Sequence, residues 1–235
     1  VDILLSGALI LDESASMTML SLAKMVPTAI SSLMGTVVGV FNPQITIAYA
    51  EGDKEKLVDI IKSCNRILIF IMSIPIAFLT AYGRDFYALW QPTKDPDMLQ
   101  RLSLLAVGVL YVSMSIQVLY HVFIITKKVK WNSLVVLGSG ICSSLLSLIL
   151  LSKTDLGVAC FPLSSMLTGV LRNMIFTPIY AARCLEIRWN RFYSDIFLGF
   201  ASIGTITVLG LLSRMIVPIH SWIILLLTGV VMGPL

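Results

Sequence analysis

Long apolar runs separated by short polar clusters dominate the pattern along this chain. The runs cover residues 1–11, 15–49, 65–82, 99–125, 132–152, 156–182, 194–213 and 217–235. Most reach or approach the roughly 20 residues that an α-helix needs to cross the hydrocarbon core of a bilayer. Backbone in lipid must satisfy its own hydrogen bonds, so runs of this length are expected to be helical. A barrel strand would alternate apolar and polar residues, and the unbroken apolar run over 104–112 does not. The pattern therefore predicts an all-α, polytopic transmembrane helix bundle of eight spans, the first and last incomplete. Val1 starts inside one apolar run and Leu235 stops inside another, with no basic start or cleavage signal. The expectation is a piece of a longer protein, organised as a single transmembrane helical domain over residues 1–235.

Between the second and third runs, residues 53–61 change character. Leu57, Ile60 and Ile61 share one helical face, with charge on the other. This predicts an interfacial helix leading into the third span, capped by Asp53. Lys56 stands where a capping box would need Glu or Gln. Charge then orients the bundle. Lys54, Lys56, Lys62, Arg66, Lys127, Lys128, Lys130, Arg183, Arg188 and Arg191 fall on one side of the alternating spans. The smaller set Arg84, Lys94, Arg101, Lys153 and Arg214 falls on the other. The positive-inside rule puts the larger set in the cytoplasm, and Trp90, Trp131, Trp189 and Trp222 sit near span ends, as interfacial aromatics do. Composition agrees: 57% of the 235 residues are hydrophobic and 13% charged, against about 25% charged in soluble domains. Mean hydropathy is +0.92.

The second span holds the most candidate chemistry. Thr18, Ser21, Lys24, Thr28, Ser31, Gly35, Gly39, Asn42 and Thr46 recur at steps of three and four, which places them on one stripe of a helix. A small, polar stripe faces either a closely packed helix or a wet cavity. Gly35 and Gly39 form a GxxxG, which argues for helix packing. Lys24 lies well inside the span, where a charge costs about 2.5–3.5 kcal/mol on insertion scales; it either snorkels to the near interface or faces a cavity. Pro27 and Pro43 are expected to kink the same helix. In the sixth span Ser165, Thr168 and Arg172 share a face, with Asn173 beside them. Arg172 can pair with phosphate in a fork geometry, or can form an ion pair or snorkel. In the fourth span Ser113, Gln117 and His121 are spaced at i, i+4 and i+8. His121 could carry a proton or simply bridge helices by a hydrogen bond. Asp2, at the edge of the first run, is a further weak candidate for ion coupling.

Other chemistries are not signalled. There is no GxxxxGK(S/T) loop, no HExxH, no GxSxG and no DxxxD pair. Cys64, Cys142, Cys160 and Cys184 are scattered without CxxC spacing, so they read as packing residues. No catalytic residues, metal site or cofactor are expected, and the scattered basic loops argue against nucleic acid.

Several local features carry a family likeness. They are Phe41-Asn42-Pro43-Gln44-Ile45-Thr46, Ala48-Tyr49-Ala50-Glu51-Gly52-Asp53, Lys56-Leu57, Arg66, Ile74-Pro75 and Gly83 through Trp90, with Gly157-Val158-Ala159 and Asn173 later. In these features the chain resembles the second lobe of the polysaccharide flippases, the O-antigen and exopolysaccharide transporters of the multidrug/oligosaccharidyl-lipid/polysaccharide exporter superfamily. The likeness covers the whole chain in layout, and its motif-like portion is about residues 15–90. It implies two six-helix lobes around a central cavity, of which this chain would supply the second lobe plus additional helices. It also implies a cargo, undecaprenyl-diphosphate-linked oligosaccharide, moved across the bacterial inner membrane, with membrane lipids and other polysaccharide assembly proteins as partners. Lys24, Arg172, Thr28, Ser31, Asn42 and Gln117 would contact the cargo. Two other readings compete. A cation-coupled drug or small-molecule exporter of the same superfamily would need a carboxylate facing the cavity, and none is visible in the complete spans. A membrane-embedded polyprenyl-glycan enzyme would need a long polar loop with acids, for which residues 83–98 are the longest outer connection.

Overall fold

A computed structural model describes residues 13–154 and 156–216, together with Trp222 and Leu225. The first and last predicted spans, and with them Asp2, lie outside the described residues. Among the described residues the fold is all helical. The elements are α1 (Glu13–Ala50), α2 (Lys54–Trp90), α3 (Pro96–Gly108), α4 (Leu110–Ser113), α5 (Leu119–Ile125), α6 (Val129–Lys153), α7 (Cys160–Leu171), α8 (Thr177–Leu185) and α9 (Tyr193–Ile216). A 3-10 turn, Gly157–Ala159, opens α7, and a π-helical turn, Arg172–Phe176, joins α7 to α8. Among the described residues, five stretches are long and apolar enough to cross a membrane: Met17–Ala50, Lys54–Trp90, Val129–Lys153, Gly157–Leu185 and Tyr193–Arg214. The chain is a multi-pass membrane protein.

The remaining predicted span, 99–125, is broken. Residues 114–118 tighten into i→i+3 bonding: Ser115 N–H reaches Val112 O at 3.1 Å and Ile116 N–H reaches Ser113 O at 3.1 Å. Each residue of such a turn advances further around the axis than in an α-helix. Ser113, Gln117 and His121 therefore do not share the face that a regular helix would give them.

Two further expectations are corrected. The amphipathic segment 53–61 is not a separate interfacial helix; it runs without a break into the third span. Its cap is as expected, with Asp53 Oδ1 accepting from Lys56 N–H at 3.0 Å. At the far end α2 continues to Trp90, so the expected loop 83–98 shrinks to residues 91–95. Arg84 and Asp85 look like loop residues in sequence, but each is neutralised from a neighbouring element. Arg84 pairs with Asp97 at 2.7 Å and Asp85 with Arg214 at 3.0 Å.

The packing centres on α2. Its buried face (Leu57, Ile61, Leu68, Met72, Ile76, Leu79) meets α9, α1 and α3. α1 packs through Leu20, Ala23, Ile30, Met34, Val38, Ile45 and Ala48, at steps of three, four and seven that keep one helical face. α6 is peripheral: of its residues only Ser143 and Ser147 are buried, and it contacts the bundle mainly through α7. Prolines free carbonyls that other elements satisfy. Pro178 removes the donor to Met174 O, which instead accepts from the Tyr193 hydroxyl at 2.9 Å. Pro27 likewise frees Ala23 O, which the Tyr87 hydroxyl approaches at 3.4 Å.

The connections alternate as the basic residues predict. Lys54–Glu186 at 2.6 Å, Arg191–Glu55 at 3.0 Å and the Tyr180 hydroxyl donating to Lys128 O at 3.0 Å gather three connections at one basic end. Arg84–Asp97 and Arg214–Asp85 mark the opposite end.

Candidate functional site

The polar stripe of α1 follows from its periodicity. The apolar positions that pack on α2 and α3 take one face, so the interleaved small and polar residues take the other. Thr18, Ser21, Thr28, Ser31, Gly35, Gly39 and Thr46 are exposed, and Lys24 and Asn42 are half-buried. A Cβ added at Gly35 or Gly39 would meet no heavy atom within 4 Å. The helix-packing reading of this GxxxG is thus not met within the described residues, because α1 spends its contacts on its other face.

Lys24, Thr28, Ser31 and Ser32 line a groove of about 340 Å³, closed by Leu105 of α3 and Ser165 of α7. A second groove of about 320 Å³ lies between α6 and α7, lined by Ser139, Ser143, Ser144, Ser165, Thr168 and Arg172. The two share Val109 and Ser165, so they adjoin, with Lys24 lining one groove of this furrow and Arg172 the other. Ser165, Thr168 and Arg172 line the same groove, as their spacing predicts.

Arg172 is half-buried and held by neutral partners. Its Nε donates to Asn173 Oδ1 at 3.2 Å and its Nη1 to Ser139 Oγ at 3.2 Å. No carboxylate pairs with it among the described residues. Asn173 is a buried junction: it donates to Ser113 Oγ at 2.8 Å and accepts from the Tyr120 hydroxyl at 2.9 Å. The π turn that carries Arg172 is thereby tied to both sides of the break in the fourth span. Interrupted helices with polar side chains at the interruption are where membrane carriers commonly place their binding sites.

Not every candidate falls in the furrow. Asn42 lies further along α1, where Thr46 Oγ1 donates to its carbonyl at 2.8 Å. His121 Nε2 lies 3.1 Å from Thr46 Oγ1, so Asn42, Thr46 and His121 form a separate polar group between α1 and α5. Gln117 sits half-buried in the tightened turn and lines neither groove.

Sequence reasoning missed two features. One is the serine ladder of α6. Ser143 meets Ser165 at 3.1 Å and Ser164 donates to Ser147 at 2.9 Å; the step-four spacing of Ser139, Ser143 and Ser147 in an apolar helix was the available signal. The other is Asp195, 1% exposed, which accepts from Asn65 Nδ2 at 3.0 Å. This carboxylate lies between α2 and α9 and faces neither groove. Among the described residues there is also no cluster of His, Cys, Asp and Glu fit to hold a metal.

One comparison bears on the whole chain. It is 27% identical, over 227 residues and 97% of its length, to a protein of Bacillus subtilis (strain 168) named uncharacterized membrane protein EpsK. The chain spans 45% of that relative's length. No family model matches, and no solved structure matches. The likeness to EpsK accords with a multi-pass membrane protein, and the name of that relative specifies no activity.

Proposed function

We propose that this chain is part of a transporter that flips a lipid-linked oligosaccharide, of the undecaprenyl-diphosphate class, across a bacterial inner membrane, and that it is not an enzyme. The observation that carries this reading is the furrow: Lys24 and Arg172 in two adjoining, open grooves with the hydroxyls of Thr28, Ser31, Ser32, Ser165 and Thr168. A diphosphate headgroup entering a bilayer needs cations and donors along its way, since an unpaired anion in hydrocarbon is prohibitively costly. Arg172 offers a guanidinium whose partners here are an amide and a hydroxyl, both replaceable by phosphate oxygens. The α1 stripe with its two bare glycines is the surface on which a facing lobe would leave a cavity. The drug-exporter reading is disfavoured, because no carboxylate among the described residues lines either groove.

The test is surface-glycan export in a strain carrying Lys24→Gln or Arg172→Gln. A charge-assisted hydrogen bond contributes about 1.5–3 kcal/mol, so each substitution is expected to lower export by roughly tenfold or more at unchanged protein level. Normal export by both well-expressed variants would remove these cations from the mechanism.

A further inference from the structure

The basic end of the bundle carries a pocket of a different kind. Lys128, Lys130, Trp131, Tyr180, Arg183 and Cys184 line a groove of about 370 Å³ between the start of α6 and the end of α8. Among the described residues its lining contains three cations and no carboxylate. None of the three cations forms an ion pair among the described residues, whereas Lys54, Lys56 and Arg191 nearby are matched by Glu186, Glu51 and Glu55. The walls are fixed in place: the Tyr180 hydroxyl donates to Lys128 O, and the Tyr180 ring stacks on Phe176 at 5.0 Å and meets Phe123 at 5.2 Å. Trp131 stands 62% exposed at the rim, and the flank of α6 beyond it presents exposed Leu134 and Leu137.

We propose that this groove holds the phosphate of an anionic phospholipid from the leaflet at the basic end. Glu186, which lines an adjoining pocket with Lys128, already pairs with Lys54 and offsets this charge only in part; Lys130 and Arg183 repel one another and Lys128, and a bound anion relieves that. The apolar flank of α6 leads from the cations into the hydrocarbon, which suits acyl chains and not a soluble anion. A tryptophan at the headgroup level fits the same placement. Basic pockets between membrane helices bind acidic headgroups by this combination, with each cation favouring anionic lipid by about 1 kcal/mol, roughly fivefold. The inference depends on the membrane-spanning fold and not on the transport reading.

The experiment reconstitutes the purified protein in vesicles of brominated phosphatidylglycerol or brominated phosphatidylcholine and measures tryptophan quenching. Comparison with Trp131→Phe isolates the Trp131 signal. Trp189, equally exposed at the same end, is isolated by Trp189→Phe and reports general enrichment of anionic lipid. The expected result is a several-fold preference for phosphatidylglycerol at Trp131, clearly above that at Trp189. The preference should fall in Lys130→Gln with Arg183→Gln, a pair chosen to keep side-chain volume, and fall further in Lys130→Glu with Arg183→Glu. Equal quenching by the two lipids at Trp131, or the same preference at both tryptophans, would overturn the proposal. Inorganic pyrophosphate binding to the protein in phosphatidylcholine vesicles, lost on Lys130→Gln and Arg183→Gln without any phosphatidylglycerol preference, would assign the pocket to a soluble anion and overturn it equally.

Discussion

Where α2 packs on α9, several polar and charged side chains are matched across the interface, whereas along α1 and α7 they line open grooves, and Arg172 is held by neutral partners. At the first interface Asp195 accepts from Asn65, Tyr82 hydrogen-bonds Ser213, and Arg214 clasps Asp85. At the second, Lys24, Thr28 and Ser31 line open space, and Arg172 rests on a serine and an asparagine. The apolar windows of the two long helices differ accordingly: 56% of the α2 window is buried against 22% of the α1 window. Charges paired across an interface hold helices in one arrangement. A cation with only hydroxyl and amide partners can exchange them for an anion without leaving a buried carboxylate uncompensated. The contrast separates the part of the bundle that holds it together from the part that can do work.

Substitutions should split along that line. The largest effect on function is expected from Arg172→Gln and Lys24→Gln, which should reduce export while moving the melting temperature of the purified protein by only a few degrees. The largest effect on stability should come from Gly199→Leu. A Cβ at Gly199 already collides with Ser115 Oγ, so a larger side chain should destabilise by about 1–3 kcal/mol or more, seen as a lower unfolding midpoint or lost protein. Gly35→Ala should act in the opposite sense. With nothing within 4 Å of the added Cβ, the stability of this chain should be unchanged or rise by up to about 1 kcal/mol, as helix propensity dictates; a marked loss would show that α1 has a packed neighbour at this face.

The smallest effect belongs to the exposed Lys54–Glu186 pair. Lys54 holds the Glu186 carboxyl below its ordinary value of 4.5. A depressed carboxyl contributes stability that is present above that value and lost as pH falls through its lowered one. Glu186→Gln should therefore shift the melting temperature by about 1 °C or less at pH 7, with no difference from the parent once the carboxyl is protonated in strong acid.

Much of this was readable from residue order. Apolar runs located the spans, the basic clusters predicted which connections meet at one end, and the spacing of Ser165, Thr168 and Arg172 placed them in one groove. Interruptions were harder. The break at 114–118 contains no Gly or Pro, and is flanked by tertiary bonds of Ser113 and Tyr120 to Asn173 in another element. The π turn was hinted at only by Pro178. Arg84 and Asp85 suggested a helix end, because their partners Asp97 and Arg214 are distant in sequence or on another element. Gly35 and Gly39 read as a helix-packing motif, and spacing alone does not tell that from the bare surface that the described residues present.

The account stands on the furrow being reached by water and not by lipid. Thiol labelling tests this directly in the membrane-embedded protein, with exposed Cys142 replaced by Ser. Ser31→Cys and Thr28→Cys should react with a membrane-impermeant maleimide, whereas Leu137→Cys and Leu145→Cys on the outer face of α6 should not. Furrow cysteines as inert as the α6 positions would contradict the account.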